Sequence, residues 1–334
     1  MPDPGCRQAL AVDLSGTGIA VGLVTATGEI PCSQRIPVGG DGPGPVFEAL
    51  CAAIDDVLHA GGLDPDDPGG TAGIGVTVAG LHDRESGAVS PDGIPAWRRF
   101  TLRDRLADRY ARSVRIIADG VAMTIAEHWR GAGRGRRNVL GIVAGESLSG
   151  GLVLDGSLVA GTTGNAGQIG HLCVDPAGPP CECGAVGCLQ AIAGAGAIAA
   201  WFARHPGGDW ATVPWDPTAD ARSESGTAVR RIAEAAWAGD PLAVATFRRT
   251  GEAIGTAVAG VVTLLDLDVV VVGGALASAG SVLFNPIADG YRRHAALDYA
   301  APPRVVPGVL GADAALVGAG AAVLRPAHYW PYPA

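Results

Sequence analysis

Four side chains that bind soft or borderline metal ions crowd into one short stretch: His171, Cys181, Cys183 and Cys188. One imidazole and three thiolates form a closed tetrahedral set for Zn²⁺. Gly170, Gly178, Gly184 and Gly187 let the loop turn its ligands inward, and Pro176, Pro179 and Pro180 stiffen it. Cys173 is surplus to a four-coordinate site. The Cys-x-Cys spacing is not the common finger spacing, so free loop thiols stay the alternative on spacing alone. A second kind of chemistry belongs to Asp119, which follows the apolar run 114–118 and precedes a helical pattern with Met123, Ile125 and Trp129. A carboxylate at a strand's C-terminal end is a usual site position in α/β proteins. It is also a good helix cap, and position alone favours the cap. A third pattern is Asp13-Leu14-Ser15-Gly16-Thr17-Gly18. Small residues at a turn let backbone N–H groups approach a phosphate, and the carboxylate can hold Mg²⁺ through its water shell. An ordinary hairpin would look the same.

These residues need elements to position them. Residues 9–12 and 19–24 read as two strands joined by that turn. Residues 46–59 have helical periodicity through Val46, Phe47, Leu50, Ile54, Val57 and Leu58. A strand at 72–79 runs into Gly80, and a short helix at 102–110 precedes the strand ending at Asp119. A second strand–turn–strand is expected over 139–159, with its turn at Gly145-Glu146-Ser147-Leu148-Ser149-Gly150-Gly151. Helices are expected at 191–202, 227–238, 241–265 and 314–324, and an apolar strand at 269–272 runs into Gly273-Gly274. Alternation of strands and helices indicates an α/β class. Two halves, each opening on a strand–turn–strand, suggest a duplicated nucleotide-binding architecture.

Composition sets the outer bounds. The 334 residues carry 24 Lys+Arg against 33 Asp+Glu, a net charge of -9. Hydrophobic residues are 48% and charged ones 17%, enough for a sizeable core. At roughly 150 residues per domain, about two domains are expected. An acidic chain with no basic run argues against nucleic acid or an anionic membrane as partner, and 5% aromatics argue against base stacking. The first six residues lack the pattern of a signal peptide. The apolar stretch 258–272 is broken by Gly260, Thr263, Asp266 and Asp268, so no membrane span is expected. A cytoplasmic protein is the expectation, with Cys6, Cys32 and Cys51 as small apolar residues rather than disulfide partners.

Taken together, residues 9–324 resemble the ROK family of sugar kinases and sugar-responsive repressors. The most specific element is Gly167-Gln168-Ile169-Gly170-His171 followed by Cys181-Glu182-Cys183-Gly184-Ala185-Val186-Gly187-Cys188-Leu189-Gln190, which looks like the family's zinc signature. Residues 11–20 resemble its first phosphate motif and 145–151 its second. Residues 271–280, with Gly273-Gly274-Ala275, resemble its adenosine motif. The resemblance implies a two-domain actin/hexokinase-like (ribonuclease H-like) ATPase fold with a cleft between domains. Residues 1–117 plus 313–334 would form the smaller domain, and 118–312 the larger one with the zinc loop 167–190. It further implies ATP, catalytic Mg²⁺, structural Zn²⁺ and a homodimer. Asp119 corresponds to the family's catalytic base. Gly80, Asp92, Ala118, Gln168, His171 and Gln190 fall on the sugar side, and His171 would present its second ring nitrogen to the sugar.

The chain also departs from the family pattern. Ala118 stands for an Asn before the base, Gln168 and Gln190 for two Glu, and Pro91-Asp92 for Pro-Asn. Ser15 and Gly18 replace a Gly and a Lys. Glu146, Ser147 and Ser149 stand where kinases generally carry Thr, Gly and Gly. Each hydroxyl left unpaired in a buried pocket costs about 1–3 kcal/mol, so ordinary glucose is expected to bind poorly. Two readings follow: a kinase acting on a modified hexose, amino sugar or cyclitol, or a zinc-bearing sugar-binding relative without catalysis. The repressor members carry a helix-turn-helix ahead of the first motif; only twelve residues precede Asp13 here, too few for one.

Overall fold

The computed structural model describes residues 8–14, 18–38, 42–205, 221–295 and 303–332. Its first sheet is built from β1 (Gln8–Leu14), β2 (Gly18–Thr25), β3 (Ser33–Pro37), β4 (Ile74–Val78) and β7 (Val114–Ala118), in the order β3-β2-β1-β4-β7. Helix α1 (Pro43–Ala60), the hairpin β5 (Gly80–His82) and β6 (Val89–Pro91), and α2 (Leu102–Tyr110) fall between β3 and β7. After α3 (Asp119–Arg130) come β8 (Val139–Ala144), β9 (Leu148–Leu154) and β10 (Ser157–Val159). Then follow α4 (Gln190–Ala193), α5 (Ala195–Arg204), α6 (Ala221–Trp237), α7 (Pro241–Leu265), β11 (Val269–Gly273), α8 (Ser281–His294) and β12 (Arg304–Pro307). The chain closes with α9 (Ala314–Leu324) and α10 (Pro326–Tyr329). The second sheet has the order β10-β9-β8-β11-β12. Each sheet thus places its first strand centrally, its second and third to one side, and its fourth and fifth to the other. The duplication lies in topology, not in matching residues.

Two compact units result: residues 1–135, 151–166 and 310–334 in one, 136–150 and 167–309 in the other. In the first unit, strand alternation separates two faces. Leu10, Val12 and Leu14 of β1 and Ile74, Val76 and Val78 of β4 pack with α1 residues Leu50, Ile54 and Leu58. The opposite face offers Ala11, Ala20 and Val24 to Leu316 and Ala319 of α9. Small residues on both sides let this last helix lie almost on the sheet. A Cβ at Gly75 would overlap Ala319 O, and one at Gly318 would overlap Ala122 O of α3. Both obstacles are backbone and cannot swing aside. Gly75→Ala is therefore expected to cost about 1–3 kcal/mol or more, read as a lower denaturation midpoint; an unchanged midpoint would mean that α9 sits further out.

In the second unit, Val269–Val272 of β11 are buried between parallel neighbours β8 and β12, as a doubly flanked strand requires. Two elements depart from the sequence expectation, and a third, α8, carried none. The second turn spans only residues 145–147, because β9 begins at Leu148. The helix expected over 191–202 is broken at Gly194 into α4 and α5. Helix α8 contains Asn285-Pro286 and Asp289-Gly290, pairs that ordinarily mark turns. Tertiary packing overrides them: the Pro286 ring fills space left by Gly251 of α7, and Gly290 abuts the Glu252 backbone. Among the described residues, no helix is long and apolar enough to cross a membrane.

Candidate functional site

The loop after β10 folds on its own backbone bonds. Cys181 N donates to Ala185 O, Gly187 N to Pro179 O, and Leu189 N to Leu172 O. Isolated bridges pair Cys173 with Cys188 and Pro180 with Val186. The result brings His171, Cys181, Cys183 and Cys188 together, with all four ligand atoms within 4.8 Å of one another. His171 Nδ1 lies 3.8 Å from Cys181 Sγ, and Cys183 Sγ lies 3.7 Å from Cys188 Sγ. A tetrahedral ion with Zn–S bonds of about 2.3 Å separates its sulfurs by about 3.8 Å. The donor set and its edge lengths therefore fit Zn²⁺. Backbone N–H donation from Ala185 holds the exposed Cys183 thiol below its ordinary range, while burial pushes Cys188 up to about 12. A bound dication would displace the Cys188 proton outright. Cys173 stands outside the cluster.

The same loop reaches the 145–147 turn. Gly170 lies so close to β9 that a Cβ there would overlap Leu148 O. Gln190 Oε1 accepts from Leu148 N at 2.6 Å, and its Nε2 donates to Glu146 O at 3.1 Å. Ala195 N, opening α5, donates to Gly145 O. Gln190, placed by the resemblance on the sugar side, thus clips both arms of the turn, a role its one-dimensional position does not show. The Glu146 carboxylate is directed to α6, its Oε1 lying 3.1 Å from where a Cβ on Gly226 would be. Gln190→Glu removes the donor to Glu146 O and sets a carboxylate beside a carbonyl. It is expected to cost about 1–3 kcal/mol and to raise the KM for nucleotide; a variant that melts and binds as wild type would show that the clip does not hold the turn.

Gly150, expected in the anion cradle, lies inside β9, where it abuts Gly141 O and Gly167 O. There it serves packing, since strand pairing continues further back than the glycine run suggested. Gly273 ends β11, and Gly274 (φ 84) lets the chain pass the end of β8, where a Cβ would lie 2.5 Å from Ala144 O. Ala275 opens a 3-10 turn through Ala279. These glycines therefore sit at the C-terminal ends of two parallel strands, the customary ligand position in such sheets. Gln168 is exposed, and its carbonyl accepts from His171 N.

In the first unit, parallel registry aligns the C-terminal ends of β1, β4 and β7: Leu14 with Val78, and Val78 with Ala118. Asp119 is the first residue of α3, and Ala118 takes the capping position, so Asp119 is not the cap that its place in the sequence suggested. Its Oδ1 accepts from Gly120 N at 2.7 Å. The positive end of the helix favours that carboxylate as an anion. Gly80 (φ 124) and Asp92 lie together, Asp92 N donating to Ala79 O and Gly80 pairing with Pro91. Asp13 is 5% exposed and in register with Thr77, whose buried Oγ1 has no hydrogen-bond partner among the described residues. A buried carboxylate beside an orphan hydroxyl suits a hydrated cation. Ser15, Gly16 and Thr17 lie outside the described residues, and Gly18 opens β2. His82 and Arg84, which sequence reasoning passed over, line a small cavity with Ala118 and Val121. Burial holds the His82 imidazole below its ordinary value. The only signal for them was their place two and four residues beyond Gly80.

The chain is 31% identical to the glucokinase of Thermotoga maritima over 329 residues, covering 95% of this chain and 97% of that one. Among solved structures it resembles the ROK hexokinase of Thermus thermophilus (TM-score 0.78, 29% identity, 93% of this chain and 96% of that one). It is similarly close to a ROK family glucokinase from Streptomyces griseus in complex with glucose and AMPPNP (TM-score 0.74, 30% identity, 93% and 97%). These neighbours have the two-domain actin-like α/β architecture that the sequence led us to expect. With the ROK family model matching residues 9–325, this chain belongs to the ROK family.

Proposed function

We propose that this protein is a carbohydrate kinase that transfers the γ-phosphoryl group of ATP to a hydroxyl of a sugar or sugar-like acceptor: a modified hexose, an amino sugar or a cyclitol. The observation that carries this reading is Asp119, at the C-terminal end of β7 and the first turn of α3, with its carboxylate oriented by Gly120 N–H. In that role it takes the proton from the acceptor hydroxyl as the oxygen attacks phosphorus in line. Gly80, Asp92 and Ala118 in the first unit, and Gln168, His171 and Gln190 in the second, are the proposed acceptor-side positions. Asp13 would hold Mg²⁺ through water. The 15–18 turn and Gly145, Glu146 and Ser147 would donate to phosphates, and Gly273, Gly274 and Ala275 would pass close to the adenosine.

His171, Cys181, Cys183 and Cys188 would hold Zn²⁺, whose chemistry here is structural: four closed positions leave none for a substrate. That leaves His171 Nε2 to orient acceptor groups. A relative that binds sugar without catalysis was the other reading, resting on Glu146 in the phosphate turn. The direction of that side chain towards α6 supports the kinase reading, since a carboxylate turned into the phosphate turn would repel a phosphate. We further propose a cytoplasmic homodimer with no nucleic-acid partner.

The test is ADP release from ATP and Mg²⁺ across hexoses, N-acyl hexosamines and cyclitols, each against an acceptor-free blank. Acceptor-dependent release is expected, weak with plain glucose and stronger with at least one modified ring. Release that never exceeds the blank, together with no ATP-induced shift in melting, overturns the kinase reading.

A further inference from the structure

A cavity of about 330 Å³ opens in the second unit between α5, α7 and α8. That is large enough for a small organic ligand. Its wall carries Trp201, Arg248, Arg249, Glu252 and Arg293. Helix packing puts them there. Helices α7 and α8 approach through glycines: a Cβ at Gly255 would overlap Ile287 O, and Gly290 abuts the Glu252 backbone. The longer side chains beside these contacts then meet, with Arg293 Nη2 3.5 Å from Glu252 Oε1.

Arg249 is the centre of the arrangement. Its Nη1 donates to Ile192 O at 2.9 Å, and its guanidinium carbon lies 5.6 Å from the Trp201 ring centroid. Both contacts fix the guanidinium plane, and neither neutralises its charge. Burial lowers its pKa, the neighbouring Arg204 lowers it further, and Asp175 offsets only part of this. Arg248, the preceding residue, is exposed and has no ion pair among the described residues. Three guanidiniums, of Arg248, Arg249 and Arg293, thus line the cavity with two carboxylates, of Asp175 and Glu252, and Arg204 adds a further positive charge near Arg249. A partly desolvated cation with only part of its charge offset is unfavourable, and a fixed guanidinium fork matches phosphate geometry. The Trp201 ring, with His205 stacked on it at 3.9 Å between centroids, supplies the adjoining wall.

We propose that this cavity binds a small phosphate monoester, its phosphate taken by Arg248 and Arg249 and its organic part lying against Trp201. The inference is independent of the acceptor proposed above. Ile192 lies two residues after Gln190, so an occupant that tightens the Arg249 contact also bears on the helix that clips the 145–147 turn.

The experiment is calorimetric titration of the full chain with phenyl phosphate and, separately, inorganic phosphate at constant ionic strength, with and without AMPPNP and Mg²⁺. Phenyl phosphate is expected to bind once per chain in both conditions, and inorganic phosphate more weakly. Arg248→Glu changes an exposed residue without touching the core and should weaken phenyl phosphate by about tenfold or more. Arg249→Gln should do the same, with an unchanged far-ultraviolet spectrum showing that it folds. No binding heat, equal binding by Arg248→Glu, or displacement by AMPPNP overturns the proposal. So does a change in molecular mass by light scattering in Arg248→Glu, which would assign this face to contact between copies of the chain.

Discussion

Asp119→Asn is expected to lower kcat by about 10²–10⁴-fold, the usual contribution of a positioned general base, while the Kd for ATP changes little. The substitution keeps size and shape, and the amide oxygen can still accept from Gly120 N as Oδ1 does now. What disappears is the capacity to take a proton. Nucleotide affinity should survive because the proposed nucleotide contacts lie on other elements: Asp13 on β1, the 145–147 turn after β8, and Gly273 at the end of β11. Activity within a few-fold of wild type would assign the base elsewhere. Loss of ATP binding would instead show that Asp119 supports the fold or the cation, and a thermal melt separates those two.

Removal of the metal should have the largest effect on stability. Structural zinc contributes about 10–16 kcal/mol in isolated finger peptides. In this loop the proposed ion would replace a hydrophobic core that the residues around it do not supply, because His171, Cys183 and most of residues 171–186 are exposed. Cys183→Ser deletes an exposed sulfur, so any loss cannot be assigned to packing. A fall in melting temperature of about 10 °C or more is expected, on a scale of about 2–4 °C per kcal/mol for a unit of this size, together with loss of the single zinc per chain that elemental analysis of the wild type is expected to show. Cys173→Ser provides the control, since that thiol stands outside the four ligands and should change neither quantity. Wild-type melting and zinc content in Cys183→Ser would sink the assignment. Because the loop also packs on Leu148 through Gly170 and Gln190, loosening it should raise the KM for nucleotide as well. That coupling distinguishes a metal that positions the turn from one that only staples its own loop.

Much of this was legible in one dimension for local reasons. Residues 102–110, 114–118, 241–265 and 314–324 form the expected helices and strand with the expected ends. The residue types within each segment are enough to mark it, so no long-range contact has to correct them. The four metal ligands were legible for a similar reason: they lie in one short segment, and ligand chemistry depends on residue type before geometry.

Where the sequence misled or was silent, the deciding contacts join residues far apart in the chain. Residues 281–294 carry two turn-forming pairs and are nonetheless helical, because Gly251, thirty-five residues before Pro286, leaves room for its ring. Gly150 reads as part of a cradle and is a strand residue, with Gly141 O and Gly167 O crowding the place a Cβ would take. Gln190 becomes a clip, and the Arg249 guanidinium is held in the cavity wall, through hydrogen bonds across 42 and 57 residues. The sequence by itself determined the family, the α/β class and the identity of the ligand and base candidates, because those depend on residue type and short spacing. Only the tertiary structure decided which glycines are for packing, which amide holds the turn and where positive charge is left without a partner, because burial and charge compensation depend on which distant side chains share a space.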